Sequence, residues 1–404
     1  MGSTRKPDSW QTLGSTASLG GRAARVGGSQ SALAPLLVLA AFAAGCALPG
    51  REAVAPGVEI ATAPEGEGTE RSCAWYGDAR DGVLFFGESA FWSAERAHGD
   101  PLADRLAPGP RRIGRFDLAT RRLAAALDAG PGEWPTGVWD VLAHPNGRVY
   151  FTTWFDSMGW VDTRTGAVRR LDALGQALNE IALGPDATLL VSRYGSPDGG
   201  PGPGSILVAS LEGERLAELP LAAPPGYRVG PKTVAFDPAR DEIWVTTDLF
   251  PLAEGAIRHD AYVLDRSGRE KRRIESPEVQ FVAFGPDATG LLAEVEGSRL
   301  DLRVRTPDAP DRVLLADTAF AAGLDFVQDI HFAEDGRAVV TRWSGVLHVF
   351  EPPESLATLV LPRLEPRGLY YSGVFAGDRV CATHCGGVTV VCAPAEPTGP
   401  APVR

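Results

Sequence analysis

The sequence predicts an all-β fold, a β-propeller of seven four-stranded blades with six as the alternative, and three observations lead there. A unit of strand, tight turn and strand recurs along the chain. Its spacing is that of propeller blades, roughly 40–50 residues per unit. No amphipathic stretch of helical period runs longer than a couple of turns, which argues against α/β folds.

The clearest copies of the unit are Val141 to Thr153, Ile181 to Ser192, Val234 to Thr246, Val282 to Ala293 and Ile330 to Thr341. Weaker copies surround Asp81-Gly82 and Gly377-Asp378. Taking Gly82, Gly147, Ala187, Asp241, Ala288, Gly336 and Asp378 as turn markers gives spacings of 65, 40, 54, 47, 48 and 42 residues. Asn-Gly and Pro-Asp pairs supply the backbone conformations that a tight hairpin needs. A second hairpin follows most copies, as in Trp160 to Val168 and Tyr262 to Arg269. The last unit stops after its third strand, Gly387 to Cys392. A strand near the N-terminus, Val58 to Thr62, would supply the fourth, close the ring and leave no bare sheet edge.

Ahead of the repeats stands a segment of another kind. Arg5, Lys6, Arg22 and Arg25 precede an uncharged apolar run from Ala32 to Ala44, followed by Gly45-Cys46. A basic region, a short apolar run and small residues at the end describe a secretory signal. Thirteen residues are too few to cross about 30 Å of hydrocarbon as a helix. Ala43-Ala44-Gly45-Cys46 resembles the lipobox of bacterial lipoproteins, in which the cysteine is acylated. The resemblance implies an exported protein, lipid-anchored at Cys46 to the cell envelope, on the outer membrane or the periplasmic face. The expected organisation is a signal over 1–45, a flexible tether rich in Ala, Pro, Gly and Glu over 46–70, one propeller over 71–396 and a disordered tail over 397–404.

Charge narrows the partners. The formal net charge is −12 and becomes −15 once Arg5, Lys6, Asp8, Arg22 and Arg25 leave with the signal. Nucleic acid is therefore not an expected partner, because phosphate binding needs a basic surface. The expected partners are a small molecule or a protein, with the membrane reached through the lipid.

Four cysteines follow Cys46, an even number in an exported chain. The hairpin around Gly386-Gly387 sets Cys381 opposite Cys392, which leaves Cys73 for Cys385 and so joins the first unit to the last. The competing reading is a metal site of Cys381, His384 and Cys385, whose spacing fits none of the usual zinc patterns.

Propeller geometry says where to look for function. The start of each first strand and the end of each second strand share one face, here the upper face. Long insertions over 87–112, 193–205 and 247–261 fall there, and decorated loops on one face commonly carry binding. Aligned repeats put Asp140, Glu180, Thr233, Phe281, Asp329 and Tyr371 at equivalent positions near the channel mouth, preceded by Trp139, Asn179, Lys232, Gln280 and Gln328. The ligand-binding candidates are Trp139, Asp140, Asn179, Glu180, Lys232, Gln328, Asp329 and Tyr371. Asp140, Asn179, Glu180 and Asp329 could hold Ca²⁺ through hard oxygen ligands. The same groups could receive a cationic or hydroxyl-rich ligand, or simply hydrogen-bond loops and strand ends. Trp92, Trp139, Trp154 and Trp343 fall at or near the upper face, where aromatics suit sugars or cations. His331, His144 and His384 form no recognisable catalytic dyad in sequence, and no Gly-x-Ser-x-Gly elbow is present.

Leu178 to Ser192 resembles the repeat of the NHL, gluconolactonase (senescence-marker) and streptogramin-lyase propellers, and the pattern extends over most of residues 75–392. The resemblance implies the fold, and for the gluconolactonase-like enzymes a divalent cation in the channel that polarises a lactone or ester. Asn179 matches one asparagine of that pattern; the family's early glutamate followed by Gly-Pro is absent. The sequence leaves open whether the protein is an enzyme. It favours a lipid-anchored propeller that binds a ligand or protein at an acidic upper face. A metal-dependent lactonase or esterase and a structural docking platform of the envelope are the rivals.

Overall fold

A computed structural model of the chain describes residues 55, 57–63, 72–90, 112–130, 137–153, 158–195, 203–318, 320, 325–353, 355–364, 369–385 and 387–395. The signal, Cys46, most of the tether, the tail, Trp92 and Trp154 lie outside the described residues, as do large parts of the insertions over 87–112 and 193–205.

The described chain is all-β apart from short 3-10 turns. Five four-stranded antiparallel sheets begin with inner strands Val141–Ala143, Leu178–Leu183, Tyr227–Asp237, Glu278–Phe284 and Val327–Phe332. A sixth sheet has eight strands. It contains the run from Ser72–Arg80 to Arg122–Asp128 and the run from Leu369–Ala376 to Val388–Pro394. The expected seven separate blades are thus corrected to five and one larger sheet. The merger has a physical cause, because Cys73 and Cys385 pair in register between the two runs. Glu59–Thr62 lies antiparallel to Val388–Pro394, with Glu59 opposite Cys392 and Thr62 opposite Thr389. Part of the stretch expected as a flexible tether is therefore strand.

Six of the seven turn markers sit at positive φ: Gly82 (76°), Gly147 (83°), Ala187 (57°), Asp241 (55°), Ala288 (63°) and Gly336 (85°). In the last unit the position is taken by Gly377 (65°), one residue before the expected marker. Left-handed backbone at one repeating place is what a two-residue hairpin demands. The repeat in sequence is therefore a repeat of turn geometry.

Alternation along the strands builds the core between neighbouring sheets. Ile113, Val141, Val149 and Phe151 fill one such layer, Leu190, Val234, Val245 and Tyr262 another, and Leu291, Leu302, Ile330 and Phe350 a third. Successive inner strands touch in order, and Leu369–Ala376 also touches Ser72–Arg80. There Leu84, Phe86 and Phe116 pack on Val374, Val390 and Cys392. Both expected disulfides are present, Cys73–Cys385 and Cys381–Cys392. The competing metal reading of Cys381, His384 and Cys385 is corrected on that ground, since a disulfide sulfur has no thiolate to offer a metal.

The segment 247–261 is not the loop expected from sequence. Its ladder continues, with Thr247 opposite Asp260, Asp248 opposite His259 and Leu249 opposite Arg258. Tyr227–Asp237 lengthens to match and pairs as far as Tyr227 opposite Pro251. One blade therefore projects beyond its neighbours on the upper face.

Candidate functional site

The inner strands enclose a cavity of about 1110 Å³. One end is lined by Tyr76, Asp140, Glu180 and Asp329, and the wall continues through Asp78 and His331. Phe281 lies at their level, Val234, Phe284, Phe332 and Phe375 follow, and the far end reaches the hairpin turns at Asp81-Gly82, Asp335 and Asp378, with Arg80, Arg337 and Arg379. The cavity therefore runs from the acidic layer toward the turn face. Asp140, Glu180 and Asp329 thus stand at one end of the cavity, and Asp140 and Glu180 are each 8% exposed.

An aromatic cluster lies beside that inner end. Trp75 packs on Trp139 with ring centroids 4.4 Å apart and on Tyr371 at 4.6 Å, and Tyr76 lies 5.5 Å from both Trp139 and Tyr371. The Cys73–Cys385 pair belongs to the same cluster. Trp139 and Tyr371, expected to meet a ligand, instead take part in this packing. Gln328 accepts a hydrogen bond from the Tyr76 hydroxyl at 2.9 Å. Asn179 donates through Nδ2 to the Lys232 carbonyl at 3.0 Å. None of Trp139, Asn179, Lys232, Gln328 and Tyr371 lines the cavity. Trp343 packs edge-on against Phe326.

The carboxylates differ in how they are used. Asp140 accepts from its neighbour Val141 N–H at 2.8 Å and from Ile181 N–H of the next blade at 2.9 Å. Asp78 does the same one blade earlier, accepting from Ala143 N–H at 2.8 Å. These acids stitch inner strand to inner strand, satisfying backbone donors that would otherwise be buried and unpaired. Glu180 is different. Its backbone N–H goes to Ser192 Oγ, but no hydrogen bond or ion pair among the described residues reaches its carboxylate.

Burial governs the acid–base state of the layer, because a charge loses hydration there. Desolvation pushes Asp140 up to about 8, against the pull of its two amide partners, and Asp329 adds to the rise. Asp329 is pushed up to about 6 by burial, with His331 opposing. Glu180 is raised well above the usual carboxylate range, by burial first and then by Asp140, with Lys232 opposing.

Sequence reasoning missed two arrangements. His331 Nε2 lies 2.9 Å from Asp78 Oδ1 in the channel wall, while its Nδ1 is buried without a partner. The pair was hidden because its members lie 253 residues apart. On the projecting blade, Asp248 accepts from the Tyr194 hydroxyl at 2.6 Å and lies 2.9 Å from His259 Nδ1. His259 Nε2 lies 3.9 Å from Glu278. Reading 247–261 as a loop concealed this row, since its register places Gly230, Asp248 and His259 side by side.

Of the metal set expected from sequence, Asp140, Glu180 and Asp329 line the cavity, while Asn179 keeps its Oδ1 buried without a hydrogen-bond partner. Asp140 spends both oxygens on backbone amides, and Asn179 lies off the cavity wall. Among the described residues, no three His, Cys, Asp or Glu side chains gather as metal ligands.

No family model matches the chain, and no curated protein matches it. Among solved structures it is similar to a catalytically inactive histidine-to-alanine variant of virginiamycin B lyase from Staphylococcus aureus, determined with quinupristin. The two share 10% identity at a TM-score of 0.53, over 83% of this chain and 98% of that one. At that identity the likeness is one of fold, and it makes this chain a β-propeller.

Proposed function

We propose that this protein is an exported, lipid-anchored β-propeller that takes a small molecule in its central channel. The observation that carries the reading is the cavity of about 1110 Å³ ending at the unpaired carboxyl of Glu180. Sites for small molecules are concave, largely apolar and fitted with a few polar groups. The cavity is concave and combines the apolar Phe281, Phe332 and Phe375 with the Glu180 end, in a lining that is otherwise mixed. Export and anchoring rest on the signal-like N-terminus and Cys46, and two disulfides suit an oxidising compartment.

Ligand-observed NMR of the purified protein against a fragment collection, followed by structures of the complexes, tests the channel. Occupants inside the channel are the expected result; binding confined to other surfaces, or none, would refute it. Mass spectrometry of the mature N-terminus tests the anchor, with acylated Cys46 expected and an unmodified N-terminus refuting it.

One observation favours a second reading, an enzyme of hydrolase or lyase type. The Asp78–His331 pair places an oriented imidazole in the channel wall, as proton transfer requires. The similar virginiamycin B lyase is inactive in a histidine-to-alanine variant. Turnover of lactones, esters or cyclic depsipeptides that disappears in His331→Gln would favour this reading over binding alone.

A further inference from the structure

Resting on the channel reading, we infer that the ligand is an amphipathic organic amine, whose ammonium group pairs with the carboxyl of Glu180 and whose apolar body lies against Phe281 and the apolar side chains next to it.

Three observations converge. First, Glu180 is 8% exposed, lines the cavity and has no hydrogen-bond or ion-pair partner among the described residues. A buried carboxyl normally finds partners, so one left open toward a cavity marks a place where a ligand completes the set. Second, the other carboxylates around it are already engaged: Asp140 by two backbone amides and Asp78 by His331 and Ala143 N–H. They add negative potential without competing for the ligand's donors. Third, apolar side chains, among them Phe281, Phe284, Phe332 and Phe375, line the cavity next to the acids before the lining becomes charged at the turn face. A sugar-like ligand would leave hydroxyls unpaired along that stretch at a cost per group, whereas an alkyl or aryl body gains from burial.

The charge balance is explicit. Burial first, and then Asp140, Asp329 and Asp248, raise the Glu180 carboxyl well above the usual carboxylate range, with Lys232 opposing. Tyr76, Asp78 and His331 also line the cavity near it, and toward the turn face the lining adds Arg80, Asp81, Arg121, Glu334, Asp335, Arg337, Asp378 and Arg379. An ammonium ion entering beside Glu180 favours the carboxylate, so one proton leaves to solvent and the ion pair forms. An aliphatic amine keeps its own charge to about pH 10. Binding therefore strengthens as pH rises, by up to about tenfold per unit while Glu180 is protonated in the free protein.

The test uses octylamine, octanol and sorbitol as probes, titrated calorimetrically into the full-length purified protein in buffers of different ionisation heat. Octylamine is expected to bind at least about tenfold more tightly than octanol near pH 8 and to release up to one proton. The affinity should climb with pH for as long as Glu180 holds its proton in the free protein. Glu180→Gln, which preserves shape, should remove the amine preference and the pH slope while octanol binding survives. That survival shows that the variant is folded and the channel intact. Equal binding of octylamine and octanol, a preference for sorbitol, or no binding of octylamine overturns the amine. The fragment screen is read separately: channel occupants that are uncharged would overturn the amine and leave the channel reading standing.

Discussion

Removing the Cys73–Cys385 disulfide should cost the fold about twice as much as removing Cys381–Cys392. The first bridge joins residues 312 apart in sequence, and the second joins residues 11 apart. Cross-linking removes loop entropy from the unfolded chain in proportion to the logarithm of loop length. At 25 °C this amounts to about 5.7 kcal/mol for the long loop and about 2.8 kcal/mol for the short one. All four cysteines are buried, so the packing lost on substitution is similar in the two cases and cancels in the comparison. The long bridge also has a local role. Cys73 and Cys385 are the one registered pair between Ser72–Arg80 and Arg379–Cys385, whereas Cys381 and Cys392 sit within a hairpin paired at seven positions. Denaturant unfolding of the two double variants, Cys73→Ala with Cys385→Ala and Cys381→Ala with Cys392→Ala, measures the difference directly. The expected gap is about 3 kcal/mol, with amide exchange accelerated first in Ser72–Arg80 and Leu369–Ala376. Equal costs, or a larger cost for the hairpin bridge, would refute the argument that the first and last runs depend on this staple.

Stability should peak on the acid side of neutrality. His348 is buried and pushed down to about 3 by desolvation, so its contribution is intact above about pH 6.5 and is lost as pH falls toward 3. Asp140 and Asp329, pushed up to about 8 and about 6, act in the opposite sense: their contribution is present below about pH 4 and is lost as pH rises through those values. Urea midpoints should therefore fall as pH rises from about 4 to 8, where the two carboxyls outweigh the one imidazole, and midpoints that rise steadily to pH 8 would contradict the assignment. Separately, Gly114→Ala should destabilise by about 1–3 kcal/mol through overpacking. A Cβ there would meet the ring of the fully buried Phe86 at 2.0 Å, and a neutral effect in denaturant unfolding would show that the ring can yield.

The architecture was legible because it is written locally and repeated. A turn such as Asn146-Gly147 or Pro185-Asp186 needs no distant partner to specify it, and its recurrence gave the blade phase before any contact was known. The Cys381–Cys392 pair followed from hairpin register in the same way. The site was legible only in part, for a reason that is equally physical. Aligning the repeats found Asp140, Glu180 and Asp329 because equivalent positions in successive blades surround one axis. It could not tell which of them is committed, because the amides of Val141 and Ile181 that hold Asp140 are backbone groups with no signature in sequence. Nor could it show that Trp75 and Tyr76 pack with Trp139 and Tyr371 beside the acids, since these residues come from distant parts of the chain. Asp78 escaped because Ser72–Arg80 belongs to the weakest copy of the repeat, and His331 found no partner because that partner lies across the ring. The residue that matters most for a ligand was thus distinguished by what it lacks: Glu180 shares its repeat position with acids that stitch the blades together, and is left with its carboxyl facing the channel.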